Sequence, residues 1–278
     1  MEHSAAPIIL ITILVLFLIA PLLAGAAGVI AAFRDSGARP RIDHPPVWPL
    51  VINSILLCVL AHNLTYFIQE LFLVLPKAWT PGLTPTLFHN NHTWTGEAEI
   101  ARLFQGTGAL AILICGLTAL ALVLRTSSRS LPALFGFWMA FQGLLQSLIQ
   151  LPSSVAEPRN DVAQAMRYLG WSIELQTGLA IIASLVLAAV LIVLARRLQA
   201  FAPRPRETRL GRVGFAALTG LLPVLATIPL TVPFKWPGDP ADTMRDLTVI
   251  GLIGGLWLVA AAWPRMRGRA EPQTGRPR

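Results

Sequence analysis

Charge is what this chain has least of. Of its 278 residues 13% are charged and 54% hydrophobic, whereas a soluble domain carries about 25% charged residues. That balance excludes a soluble globular protein of this length. Cysteine is nearly absent. Cys58 and Cys115 are the whole complement, each near the middle of an apolar run. A disulfide framework is therefore excluded, and both thiols are expected to pack as small apolar groups. The chain has no CxxC pair, no glycine-rich nucleotide loop and no repeat of solenoid length. His62-Asn63-Leu64-Thr65-Tyr66 has the spacing of the zinc-protease helix motif H-E-x-x-H but lacks its glutamate and its second histidine, which argues against that enzyme class. A GxSxG nucleophile elbow is also missing.

Long apolar runs are what the chain has instead. Seven of them, near 7–33, 47–75, 103–125, 131–151, 170–196, 211–232 and 246–264, approach or exceed the ~20 residues a helix needs to cross the bilayer core. The expected fold is all-α: a polytopic integral membrane protein whose single domain, 1–264, is a seven-helix transmembrane bundle. The fifth run has an amphipathic lead-in around Val162. The first run contains Ala24-Gly25-Ala26-Ala27-Gly28 but has no basic n-region and stays apolar to Phe33, so it reads as a span rather than a cleaved leader.

Lysine and arginine alternate between the connections. Sixteen of the 22 fall in four segments: Arg34 to Arg41, Arg125 and Arg129, Arg196 to Arg212, and Arg265 to Arg278. The other segments hold only Lys77, Arg102, Arg159, Arg167, Lys235 and Arg245. The positive-inside rule then puts the N-terminus outside and the C-terminus in the cytoplasm, with 76–102 as the longest external loop. Residues 265–278 read as a basic, disordered cytoplasmic tail. The net charge of +8 is thus an orientation signal. The expected partner is the lipid bilayer of a bacterial inner membrane, and nucleic acid is not expected. Trp48 and Trp263 fall at inner ends, and Trp79, Trp94, Trp171 and Trp236 at outer ends, as an interfacial belt requires.

Depth can then be assigned to the polar residues inside the spans. Asn63, Tyr66, Gln69 and Glu70 fall in the outer half of the second span, Gln105 and Thr107 at the start of the third, and Gln142, Gln146 and Gln150 in the later half of the fourth. Trp171, Glu174, Gln176 and Thr177 open the fifth. Four helices therefore hold polar groups at one level, while the inner halves look dry apart from Asn53, Ser54 and Thr219. His62, Asn63, Tyr66, Gln69 and Glu70 share one helical stripe, and Trp138, Gln142, Gln146 and Gln150 another. Facing lipid, each amide would be left unpaired at several kcal/mol, so both stripes should face the interior. A carboxylic acid in hydrocarbon costs roughly 2.5–3.5 kcal/mol even on insertion scales, which singles out Glu70. Pro76 is expected to end that helix and keep Lys77 from reaching back.

His89-Asn90-Asn91-His92 lies just past this span. Two histidines three apart can grip one metal if the segment is helical or tightly turned. With Glu70 and His62 they would make a carboxylate–imidazole set suited to zinc or iron. Gly251 and Gly255 form GxxxG in the last span, for close packing within the bundle or for a homodimer face. Pro223 and Pro229 interrupt the sixth span, freeing carbonyls near Thr219 that local threonines could satisfy.

The function these features favour is an outward-facing polar pocket that binds or modifies a small or lipid-like substrate, metal-assisted if the histidines converge. Glu70 and Tyr66 are the candidate catalytic groups. Asn63, Gln69, Gln105, Gln142, Gln146, Gln150 and Glu174 are the candidate substrate contacts. Two other readings stand beside it: a non-catalytic subunit or assembly factor of a membrane complex, and a transporter. Dry inner halves and seven spans that do not divide into equal repeats count against the transporter.

Overall fold

Hydrocarbon offers a backbone amide no partner, so an apolar run of span length must close its hydrogen bonds within itself. The computed structural model, which describes residues 5–34, 47–89, 91–202, 209–231 and 240–262, shows this outcome along nearly the whole chain. Helices α1 (Ala5–Leu14) and α2 (Ala20–Arg34) join through a π-helical turn, Val15–Ile19. Helix α3 (Trp48–Ala78) leads into a small hairpin, β1 (Thr84–Leu87) and β2 (His92–Thr95), followed by α4 (Ala101–Arg125) and α5 (Leu131–Ala156). The short α6 (Asp161–Tyr168) precedes α7 (Ile173–Leu198). Helices α8 (Arg209–Ala216) and α9 (Leu222–Thr231) flank a second π turn, Ala217–Leu221, and α10 (Pro240–Ala260) follows.

Six helical stretches are long and apolar enough to cross a membrane: Pro7–Gly28, Trp48–Ala78, Ala101–Arg125, Leu131–Ala156, Ile173–Phe201 and Gly211–Thr231. The chain is a multi-pass membrane protein on that basis. The apolar part of α10, Leu247–Ala260, is shorter, and the run read as 246–264 extends past the described residues. Arg39, Arg41, Arg204, Arg206, Trp236, Trp263 and the tail 265–278 also lie outside them.

Helix α5 is the axis of the bundle. Its apolar stretch is 78% buried, against 17–44% for the other five, and a helix that is apolar and covered on all sides belongs at the centre. Helices α3, α4 and α7 pack on it. Two glycines set the α4–α5 distance: a Cβ on Gly143 would stand 2.9 Å from the Gly116 Cα. Without a hydrophobic force between helices in lipid, such small-residue contacts let backbones approach and gain dispersion contact. Ile9 of α1 packs with Val155 and Ala180, so the start of the chain lies at the end of the bundle where α5 finishes. Gly251 of α10 faces Val224 and Ile228, while Gly255 faces Leu221, so α10 returns antiparallel along α9.

The prolines explain several local departures from expectation. A proline ring clashes with the carbonyl four residues back and donates nothing to it. Pro223 does this to Thr219, inside the second π turn, and the Ser54 hydroxyl of α3 donates to that carbonyl at 2.7 Å. The repair thus comes from a neighbouring helix rather than from a local threonine. Pro76 does the same to Phe72. The Thr107 hydroxyl lies 2.6 Å from that carbonyl and 2.7 Å from its own helix's Phe104 carbonyl, with one proton to give to either. Helix α3 therefore continues to Ala78, past the expected stop.

Three further features give detail to the expectations. The external loop contains an antiparallel hairpin, with Thr84 opposite Thr95 and Leu87 opposite His92. The lead-in to the fifth span is a separate amphipathic helix, α6, broken from α7 at Gly170, where φ is 67°. Gly251 and Gly255 are buried against α9 and the π turn before it, so the GxxxG face is used inside the chain and is not available to a second copy.

Replacing Gly143 by alanine should destabilise the bundle by about 1–3 kcal/mol, as overpacking does, with little loss for Gly178→Ala, where a Cβ meets nothing within 4 Å. Unfolding in detergent, followed by circular dichroism, measures both. Equal midpoints for the two variants would show that the glycine contact does not set the helix spacing.

Candidate functional site

The buried polar side chains of α3 are Ser54, Cys58, His62, Thr65, Gln69, Glu70 and Lys77. Steps of three, four and seven keep most of them on one face, spread over about 35 Å of helix at 1.5 Å per residue. They meet the polar face of α5 level by level. Farthest from the hairpin, the Trp138 indole donates to Ser54 Oγ at 3.0 Å. Next, Cys58 Sγ accepts from Gln142 Nε2 at 3.4 Å and lies 3.3 Å from Thr227 Oγ1, whose one proton can go to it or to Pro223 O at 2.9 Å. This thiol is part of the polar series and not merely a packing group.

His62 comes one turn further out. Its Nδ1 lies 3.2 Å from Gln142 Oε1 and 3.1 Å from Gln146 Nε2, and Gln146 Nε2 lies 3.0 Å from Gln142 Oε1. With the proton on Nδ1, Gln142 Oε1 accepts from both neighbours, which satisfies the local donors. A cavity of about 20 Å³ beside His62, Gln142 and Thr227 has room for roughly one water. Further out, Gln150 Nε2 donates to Gln69 Oε1 at 3.2 Å. The ladder of amides expected to face the interior does so, and its members bond one another and α3.

The hairpin end is different in kind. Glu70 Oε2 lies 2.6 Å from His92 Nδ1, with each side chain only 7% exposed. The Nδ1–H donates to the carboxylate, a charge-assisted bond that leaves Nε2 as the exchangeable position. That Nε2 is buried and makes no hydrogen bond. The His92 ring stacks on Trp94 at 5.6 Å and 13°. Lys77, fully buried, puts Nζ 4.7 Å from the centre of the Trp94 ring, within cation–π range. The same ammonium donates to Leu73 O at 2.8 Å and lies 3.5 Å from Gln105 Oε1.

The hairpin delivers half of this cluster. Alternation along β2 turns His92 and Trp94 toward α3 and exposes Thr93 and Thr95. Its base is fixed by Gly82 and Gly96, both at positive φ. A Cβ on Gly96 would stand 1.8 Å from Gly82 O, so no other residue fits. Trp94 is thus a cover on Lys77, where an interfacial belt residue had been expected.

The expected metal set does not converge. His62 lies eight residues before Glu70, about 12 Å along the helix, and is engaged with Gln142 and Gln146. His89 is exposed and stacks on Phe67 at 6.1 Å. Asn90 is outside the described residues. Glu70 and His92 therefore meet without the other two, and among the described residues no three ligand-type side chains cluster. A zinc or iron centre built on His62, Glu70, His89 and His92 has no geometric support.

The remaining candidates divide. Tyr66 is half-buried and edge-on to His62 at 4.9 Å, one level inside the acid–imidazole pair. Asn63 donates to Val59 O of its own helix at 2.9 Å. Glu174 is exposed at the start of α7, where Ser172 caps the helix, and does not join the cluster; Gln176 there bonds Trp171 O. Sequence reasoning missed Lys77, Trp94, Ser54, Cys58 and Thr227 as members of the polar series. The alternation His92-Thr93-Trp94-Thr95 was the signal that could have found Trp94.

Because Gly96 locks the hairpin base, Gly96→Ala should unseat β2 while leaving the helices intact. The check is Trp fluorescence and accessibility of Lys77 to an amine-reactive reagent: labelling should rise at least tenfold, with helical circular dichroism unchanged. Unaltered Lys77 labelling would mean the hairpin is not the cover.

Compared with family models, with curated proteins and with solved structures, this chain matches none.

Proposed function

We propose that this chain spans a bacterial plasma membrane seven times, α10 being the last crossing. Its N-terminus and hairpin lie outside and its C-terminus in the cytoplasm. In this reading the hairpin-covered Glu70–His92 pair is the site at which a small polar or lipid-like substrate is bound or altered. The arginine asymmetry supports the orientation. The packing of Ile9 beside Val155, at the end away from Ser54, supports a start on the hairpin side.

One observation carries the site: a buried carboxylate–imidazole contact of 2.6 Å whose outer nitrogen is left without a partner. A buried polar atom without a hydrogen bond costs about 1–3 kcal/mol. Replacing a buried ion pair with apolar groups of similar volume is often neutral or stabilising. A pair that exists only to hold the fold has little reason to be there, whereas an acid–base pair has. His92 Nε2, its lone pair unengaged while Nδ1–H donates to Glu70, would take a proton from a bound group; the Glu70 carboxylate would stabilise the imidazolium so formed, and Lys77 would hold the negative charge left on that group. Tyr66 and the glutamines support this site from one level below.

A second reading has its own observation. Gln69, Gln142, Gln146 and Gln150 bond within the bundle, as ties between helices do, which suits a non-catalytic subunit or assembly factor. The transporter reading gains from the polar series reaching Ser54, although only a water-sized cavity accompanies it near His62.

Removing one partner, as in His92→Ala, should cost about 3–5 kcal/mol by stranding the carboxylate. Glu70→Leu combined with His92→Phe should recover most of that loss. In a deletion strain with a measurable defect, this double variant should accumulate in the membrane normally yet fail to complement. Full complementation by the double variant would make the pair structural and leave the assembly-factor reading standing.

A further inference from the structure

A second feature at the hairpin end of the bundle stands apart from the Glu70–His92 pair. Arg102 at the start of α4, Arg159 in the turn before α6, and Gln164, Arg167 and Tyr168 on α6 line a recess of about 520 Å³. Three guanidinium groups share one concavity. Among the described residues none of the three pairs with a carboxylate. Like charges gathered without a counter-ion repel one another, and a bound anion relieves that repulsion.

The recess is held in shape by its own hydrogen bonds. Gln164 Nε2 donates to Arg159 O at 3.1 Å, and the Arg167 guanidinium donates to Pro158 O. The turn that carries Arg159 is thereby tied to α6, whose opposite face is buried through Val162, Ala163, Ala165 and Met166. Asn160 caps the helix by accepting from Val162 N. Arg102 sits one turn before Gln105, which faces Lys77. Tyr168, Leu169 and Trp171 are exposed beside the recess, an apolar and aromatic fringe typical of the membrane–water boundary.

We propose that this arginine-lined recess binds a phosphate group at the membrane boundary, carried by an anionic phospholipid headgroup or by a soluble phosphate compound. Phosphate oxygens accept bidentate hydrogen bonds from guanidinium forks. Arg102 and Arg159 have their forks free for this role, and the Tyr168 hydroxyl adds a donor. The proposal does not depend on what the Glu70–His92 pair does.

The test uses the full chain in nanodiscs of phosphatidylcholine with or without phosphatidylglycerol, and separately in detergent with inorganic phosphate. Lipid retained on the protein is read by native mass spectrometry, and phosphate binding by thermal shift. The variant is Arg102→Gln with Arg159→Gln, two exposed positions whose side chains hold nothing else in place. Arg125→Gln with Arg129→Gln, at the opposite end, removes the same charge as a control. Selective retention of phosphatidylglycerol, reduced at least tenfold in the recess variant and unchanged in the control, identifies a lipid headgroup site. Stabilisation by inorganic phosphate that vanishes in the recess variant, without lipid selectivity, identifies a soluble phosphate site. Binding of both probes unaltered by the recess variant, equal loss in the control, or no binding of either probe by the wild type would overturn the proposal.

Discussion

Inside a bilayer a polar group has no water to turn to, and the side-chain pairing between these helices follows from that constraint. The prolines show it most directly. Pro223 and Pro76 each free a carbonyl, and in both cases a hydroxyl from a neighbouring helix stands at it: Ser54 at Thr219 and Thr107 at Phe72. The amides of α5 show it again. Gln142 and Gln146 bond each other and His62, and Gln150 bonds Gln69. What holds α3 to α5 is thus a run of paired donors and acceptors within otherwise apolar contact, with Gly116 and Gly143 bringing α4 in on the other side.

The two ends of this run differ in chemistry. Toward Ser54 the members are hydroxyls, a thiol and an indole, neutral groups that satisfy one another. Toward the hairpin they are Glu70, His92 and Lys77, which carry or exchange charge. The amides lie between. The charged end is also the one closed by the hairpin, since His92 and Trp94 come from β2 and not from a long apolar helix. A site assembled this way can change by moving a four-residue strand while the bundle stays still.

The helices were legible because an apolar run of span length has one way to pair its backbone. Their polar positions were legible for the same reason: Glu70 and the glutamines of α5 had to face inward, and they do. Partners were not legible. The buried face of α3 runs through Cys58, His62, Thr65, Gln69 and Glu70; His62, Gln69 and Glu70 were on the expected stripe, while Asn63 and Tyr66 lie at its edge. Pro76 was read as a helix end because in water the freed carbonyl would simply be solvated; here Thr107 stands in for the missing donor. The histidine pair was read as a tight metal grip, whereas the hairpin places His92 on a strand and His89 in the turn before it. Gly251 and Gly255 carried no sign of which neighbour they would meet, and it proved to be the chain's own preceding helix.

The reach of these contacts along the chain bears on how the protein is made. His62 finds Gln142 80 residues later, and Ser54 finds Thr219 165 residues later. A ribosome feeding α3 into the membrane therefore presents its polar face long before the helices that complete it have been synthesised. Glu70 and Lys77 find partners within 28 residues, so it is the imidazole of His62 and the hydroxyl of Ser54 that precede these partners by the longest stretch of chain. The polar face of α3 is therefore completed last, by helices translated long after it.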